Sequence, residues 1–126
     1  MGPMKRVVLI DDSELVLDVV GGALEDAGID VTALEEPVAD LVAGDRSPDM
    51  ILLDINMPQM YGDDVVGYFR EACGIEAPIY LFSDIPEEEL IQRAKAVGAS
   101  GFIWKGRGIE HVVEEALRIL ETLESS

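Results

Sequence analysis

Positive charge is scarce in this chain. Nine Lys and Arg face 26 Asp and Glu in 126 residues, a formal net charge of −17. Nucleic-acid phosphates and anionic membrane surfaces are met by clustered Lys and Arg, so the balance argues strongly against both as partners. Cysteine is rarer still. Cys73 stands alone, cannot form an internal disulfide, and fits a reducing, cytoplasmic setting. Long apolar runs are missing: nothing approaches the roughly 18 residues of a membrane span. No apolar signal region opens the chain, so nothing points to export. Repeats, low-complexity tracts and linkers are also lacking. With 48% apolar and 28% charged residues, the composition is ordinary for one globular domain with one core. Residues 1–4 are read as a cloning scar or disordered start, and the domain is expected over 5–124.

What is there is a regular alternation of short apolar runs and helical patterns. Val7-Val8-Leu9-Ile10 reads as a first strand. Ser13 to Ala27 has helical periodicity, with Val16, Val20, Ala23, Leu24 and Ala27 on one face and Gly28 closing it. A weaker, more polar strand follows over Asp30 to Leu34, then a short helix over Val38 to Ala43. Met50 to Leu53 is the third strand and Tyr61 to Ala72 the third helix. Pro78 to Phe82 and Gly101 to Trp104 are the last strands. Between them, Pro86 to Val97 is a helix with proline at its first position and Glu87, Glu88 and Glu89 in its first turn. Ile109 to Leu123 is the last helix, its buried face marked by Val112, Val113, Ala116, Leu117, Leu120 and Leu123.

Strands alternating with helices predict an α/β domain, a doubly wound parallel sheet with helices on both faces. The continuous apolar runs "VVLI", "MILL" and "IYLF" fit strands buried on both sides. Ligands of such sheets bind beyond the carboxyl ends of the strands, where strand order reverses. Asp11 and Asp12 end the first strand and Asp54 the third. If the order is 2-1-3-4-5, these strands are neighbours and three carboxylates share one crevice, with Ser83 and Lys105 on the same edge. Two like charges about 4 Å apart repel by roughly 4 kcal/mol at an effective dielectric near 20. A bound Mg²⁺ together with Lys105 would balance the three negative charges, and hard oxygen ligands suit that ion. Singly, each acid reads more readily as a helix cap and the lysine as a solvated charge. The coincidence of all five side chains at one edge favours a site.

These residues carry a family resemblance. "VVLIDDSE", "LLDINMPQMYG", "LFSD" and "AKAVGASGFIWK" resemble, in order and spacing, the strands and loops of a response-regulator receiver domain of the chemotaxis-regulator kind. The likeness covers residues 5 to 123 and implies a flavodoxin-like fold with strand order 2-1-3-4-5. By resemblance Asp54 is the phosphoacceptor of a two-component system. Asp12 binds Mg²⁺ directly, Asp11 acts through a coordinated water, and Asn56 offers its backbone carbonyl. Lys105 holds the phosphoryl group, Ser83 hydrogen-bonds it, and Phe102 is the aromatic whose burial changes with activation. The implied partners are a histidine kinase or histidine phosphotransfer protein and a downstream protein. That target would be met by the fourth helix, fifth strand and fifth helix. The chain would act as a monomer or a phosphorylation-linked dimer, as a switch and not an enzyme, with no output domain. Two departures bear on signal transmission: Gly106 stands where the family usually has proline, and Phe102 where tyrosine is commoner. The Lys105–Gly106 bond is expected trans and the "KGRG" loop mobile.

Three rivals remain in view: a degenerate receiver acting only by binding, an aspartate-based phosphohydrolase, and a flavin or nucleotide carrier. The hydrolase wants a second acid two positions after its nucleophile, where this chain has Asn56. The carrier needs phosphate-binding amides where Asp11 and Asp12 would repel. Plainer roles suffice elsewhere: His111 as a surface residue, Cys73 as a half-buried spacer, Trp104 covering a helix, and the glutamates as helix-start charge. Gly21-Gly22 inside the first helix reflects close packing or simple tolerance.

Overall fold

The computed structural model describes residues 5–44, 47–55 and 62–125. Five strands form it: β1 (Arg6–Ile10), β2 (Asp30–Leu34), β3 (Met50–Asp54), β4 (Ile79–Ser83) and β5 (Gly101–Trp104). All pair in parallel in the expected order β2-β1-β3-β4-β5. The helices are α1 (Glu14–Asp26), α2 (Ala39–Ala43), α3 (Gly62–Gly67), α4 (Glu87–Val97) and α5 (Ile109–Ser125).

Side chains alternate across a strand, so each central strand feeds two cores. Val8, Ile10, Ile51, Leu53, Ile79 and Leu81 pack with Val66 and Phe69 behind α3 and with Leu90 and Ala94 of α4. Val7, Leu9, Met50, Leu52 and Phe82 pack on Val20 and Leu24 of α1 and on Val112, Ala116 and Leu120 of α5. Every residue of β1 and β3 is buried, whereas the edge strand β2 has only exposed and half-buried positions. Each fully buried aliphatic side chain contributes about 1.5–3 kcal/mol. That burial makes the two central strands a rigid base for whatever stands at their ends.

Several expectations are corrected. The buried stripe of α1 is Leu17, Val20, Gly21 and Leu24, while Ala27 is exposed beyond the helix end. On α5 the stripe gains Ile119, and Val113, Leu117 and Leu123 only flank it. Pro86 does not open α4 as its first helical residue; with ψ at 134° it is the extended cap before it. The expected start of the third helix at Tyr61 lies outside the described residues. Its second half, Tyr68–Ala72, widens into π-helical winding. There Arg70 donates to the carbonyls of Ile75 and Ala77 at 2.8 and 2.7 Å, and Phe69 is wholly buried. These anchors hold the wider turn that keeps Phe69 on the core side.

Candidate functional site

The site stands where β1 and β3 run out. Asp11 follows β1, and its backbone N–H still bonds Leu34 O at 3.1 Å. The helix cap that an acid here might have supplied comes from Ser13, whose Oγ accepts from Val16 N at 3.3 Å. Asp11 and Asp12 are therefore not consumed by capping α1. Asp54 is the last residue of β3 and sits opposite Phe82 of β4.

The neighbouring ends of β1 and β3 bring one carboxylate oxygen each of Asp11, Asp12 and Asp54 within 4.8 Å of one another. Asp11 and Asp54 are only 1% and 4% exposed, and Asp12 faces solvent. Lys105, the residue after β5, reaches across two strands to this cluster. Its Nζ lies 2.6 Å from Asp11 Oδ2 and 3.8 Å from Asp54 Oδ2. The ammonium also sits 4.2 Å from the centre of the Phe82 ring. That cation–π contact steadies a charge that must bridge two acids. Phe82 escaped the sequence reading because it looked like one more core residue. Its pairing with Asp54 becomes visible only through strand register.

Asp11 is committed at both oxygens. Oδ1 accepts from Ser13 N at 2.9 Å and Oδ2 from Lys105. Asp54 Oδ2 shares the same ammonium at the longer distance, and Asp12 is the exposed member of the three. At the observed spacing two carboxylates repel by roughly 3.5 kcal/mol for an effective dielectric of about 20. Among the described residues, the Lys105 ammonium is the cation that pairs with this group, with Asp11 and Asp54. Hard oxygen donors in this number, open to water on the Asp12 side, fit a divalent cation that keeps part of its hydration shell.

Ser83 closes β4 and is fully buried, and its Oγ accepts from Ile85 N at 3.2 Å. Phe102 is half-buried on β5 and, like Ile85 and Trp104, packs against the core under α3 and α4. The Asn56 assignment and the Met57-Pro58 loop lie outside the described residues. The Lys105–Gly106 bond is trans as expected. The "KGRG" segment, expected as a mobile loop, winds into a 3-10 turn over Lys105–Arg107, closed by Gly108 N to Lys105 O at 2.9 Å. Trp104 does more than cover a helix: its Nε1 donates to Ile85 O at 2.7 Å. His111 is half-buried and lines a surface cavity with Phe102 and Trp104.

The sequence profile of the response regulator receiver domain matches residues 7–117. The transcriptional regulatory protein MctR of Rhizobium johnstonii is 32% identical over 120 residues, covering 88% of this chain and 53% of that protein. The chain thus spans about half the length of that curated relative. The chemotaxis protein CheY of Treponema pallidum is 29% identical over 124 residues, 95% of this chain and 85% of its own. Among solved structures, the chemotaxis response regulator CheY4 of Vibrio cholerae superposes with a TM-score of 0.77 at 29% identity. It covers 93% of this chain and 99% of that one. On fold, order of elements and the length matched, the chain belongs to the response regulator receiver domain family.

Proposed function

We propose that the chain is a working phosphoacceptor receiver: Asp54 takes a phosphoryl group from a histidine kinase or histidine phosphotransfer protein. The observation that carries this reading is the setting of Asp54. It is a 4% exposed carboxylate at a strand end, grouped with two others, with Lys105 Nζ at 3.8 Å. A degenerate receiver has no use for so unfavourable a concentration of charge.

In the transfer, an Asp54 carboxylate oxygen forms the new O–P bond as the P–N bond to the donor imidazole breaks. The electron pair stays on the nitrogen. The reaction is mostly positioning and charge neutralisation. Burial of β3 fixes the direction of Asp54. Lys105, 2.6 Å from Asp11 and 3.8 Å from Asp54, would shift toward the phosphoryl oxygens, and the Ser83 hydroxyl would donate to one of them. Asp12 and Asp54, with Asp11 through a water and the Asn56 carbonyl, would hold Mg²⁺. When bound, that ion supplies positive charge to the phosphoryl oxygens.

The product is a changed surface rather than a released molecule, so the chain acts as a switch and not an enzyme. The face of α4, β5 and α5 is where a downstream protein would read it. Incubation with Mg²⁺ and acetyl phosphate, followed by trapping of acyl phosphate, tests the reading. Labelling at Asp54 is expected, and a folded chain that stays unlabelled would leave only a binding module.

A further inference from the structure

Gly106 and Trp104 form a matched pair that the phosphorylation site does not explain. A Cβ on Gly106 would fall 2.2, 2.4 and 2.6 Å from three carbons of the Trp104 ring. No side chain fits there unless the indole swings away, and a proline ring least of all. Glycine at this position is the space in which the indole lies.

The indole uses that space to hold a loop. Its Nε1 donates to Ile85 O at 2.7 Å, while Ile85 N donates to Ser83 Oγ at 3.2 Å. The Ile85 residue, between β4 and α4, is thus gripped at both ends of its backbone. One grip is the hydroxyl proposed to turn toward the phosphoryl group. The other comes from the residue that precedes Lys105 and sits opposite Ser83 in the β4–β5 register. The half-buried ring also borders a surface cavity of about 400 Å³, lined in part by Phe102, Arg107 and His111. A displaced ring has room to move there, on the face a partner would meet.

We infer that Trp104 is a latch. Its hydrogen bond to Ile85 holds the β4–α4 loop in the position of the unphosphorylated chain, and Gly106 is the glycine that lets the latch close. The inference rests on the phosphoacceptor reading. When Ser83 turns toward the phosphoryl group, Ile85 shifts with it and the Trp104 bond opens. Trp104 is then a positioning residue acting through Ile85 and Ser83, and it takes over coupling that the missing proline would otherwise influence.

Trp104 is the only tryptophan, so its emission reports the latch in the whole chain. Beryllium fluoride with Mg²⁺ serves as the phosphoryl probe, and fluorine NMR measures its binding independently. Saturation with the probe is expected to change the emission and the acrylamide quenching of Trp104, and to change neither in Asp54→Asn. Trp104→Phe keeps the ring but loses the donor. It is expected to bind the probe about three- to tenfold more tightly, because one hydrogen bond no longer opposes the shift. Gly106→Ala is expected to alter the emission of the resting protein by pushing the ring aside. Probe binding with unchanged Trp104 emission, or with equal affinity in Trp104→Phe, overturns the latch. Absence of probe binding in the folded wild type overturns the phosphoacceptor reading and the latch with it.

Discussion

The two ends of β1 each bury a charge, and they treat it in opposite ways. At the start, Arg6 is 5% exposed, and its guanidinium donates to the carbonyls of Leu41, Val42 and Ala43 and to Thr32 Oγ1. Those carbonyls belong to the last turn of α2, which leaves its own acceptors unsatisfied. A cation there also suits the negative end of a helix. Just past the other end, Asp11 is more deeply buried but shares one ammonium with Asp54 and lies among like charges. The first charge is saturated by fixed acceptors and stabilises the fold. The second lies among like charges, where a divalent cation would be favoured. A buried charge held by fixed acceptors is architecture; carboxylates gathered at one sheet edge, two of them buried, point to a ligand.

The largest expected effect tests the architectural end. Arg6→Met should cost about 2–4 kcal/mol in chemical denaturation, since several buried carbonyls lose their donor at once. A cost below about 0.5 kcal/mol would mean that water replaces the guanidinium and that the contrast is false.

The acidic end should respond to metal next. Mg²⁺ at ten to a hundred times its dissociation constant should add about 1.4–2.7 kcal/mol by mass action. It should raise the melting temperature of the wild type and do much less for Asp54→Asn. A melting temperature indifferent to Mg²⁺ would argue against the cation site.

Removing one of the crowded charges should help the metal-free fold. Asp54→Asn is nearly isosteric and leaves the Lys105–Asp11 pair intact. In metal-free buffer at low salt it should gain about 1 kcal/mol, less than the unscreened repulsion because Asp12 is solvated. Loss of stability would show that Lys105 already balances the cluster.

The smallest effect lies outside both ends. A Cβ on Gly21 would meet Val31 Cγ1 and Leu9 Cδ2 at ordinary contact distances of 3.7 and 3.9 Å, and one on Gly22 would meet nothing within 4 Å. Neither glycine is required by packing. Gly21→Ala and Gly22→Ala should each stabilise α1 by about 0.5–1 kcal/mol without changing Mg²⁺ binding.

The fold was legible because its central strands are buried on both faces and several of its helices are followed by glycines, so "VVLI", "MILL" and Gly98 each mark an element. The acids, Ser83 and Lys105 were legible because strand ends in a parallel sheet share one edge. Features that depend on register and three-dimensional packing were not. Phe82 under the Lys105 ammonium, the guanidinium of Arg6 on the α2 carbonyls and the Trp104 indole bonded to Ile85 O involve residues far apart in the chain. Each residue alone looks like core, surface charge or loop. Trp104 did leave one signal: a tryptophan with an indole N–H to satisfy, two residues before a glycine in an unusual place. The π-helical turn at Tyr68–Ala72 had none, because its cause is an arginine reaching carbonyls beyond the helix end.

The most direct test compares wild type and Asp54→Asn after incubation with Mg²⁺ and acetyl phosphate, with intact-mass detection and mapping of the trapped acyl phosphate. A single phosphoryl group is expected on the wild type, located at Asp54, and none on the variant, both remaining folded. A variant that labels as fully as the wild type, or a folded wild type that never labels, would contradict it.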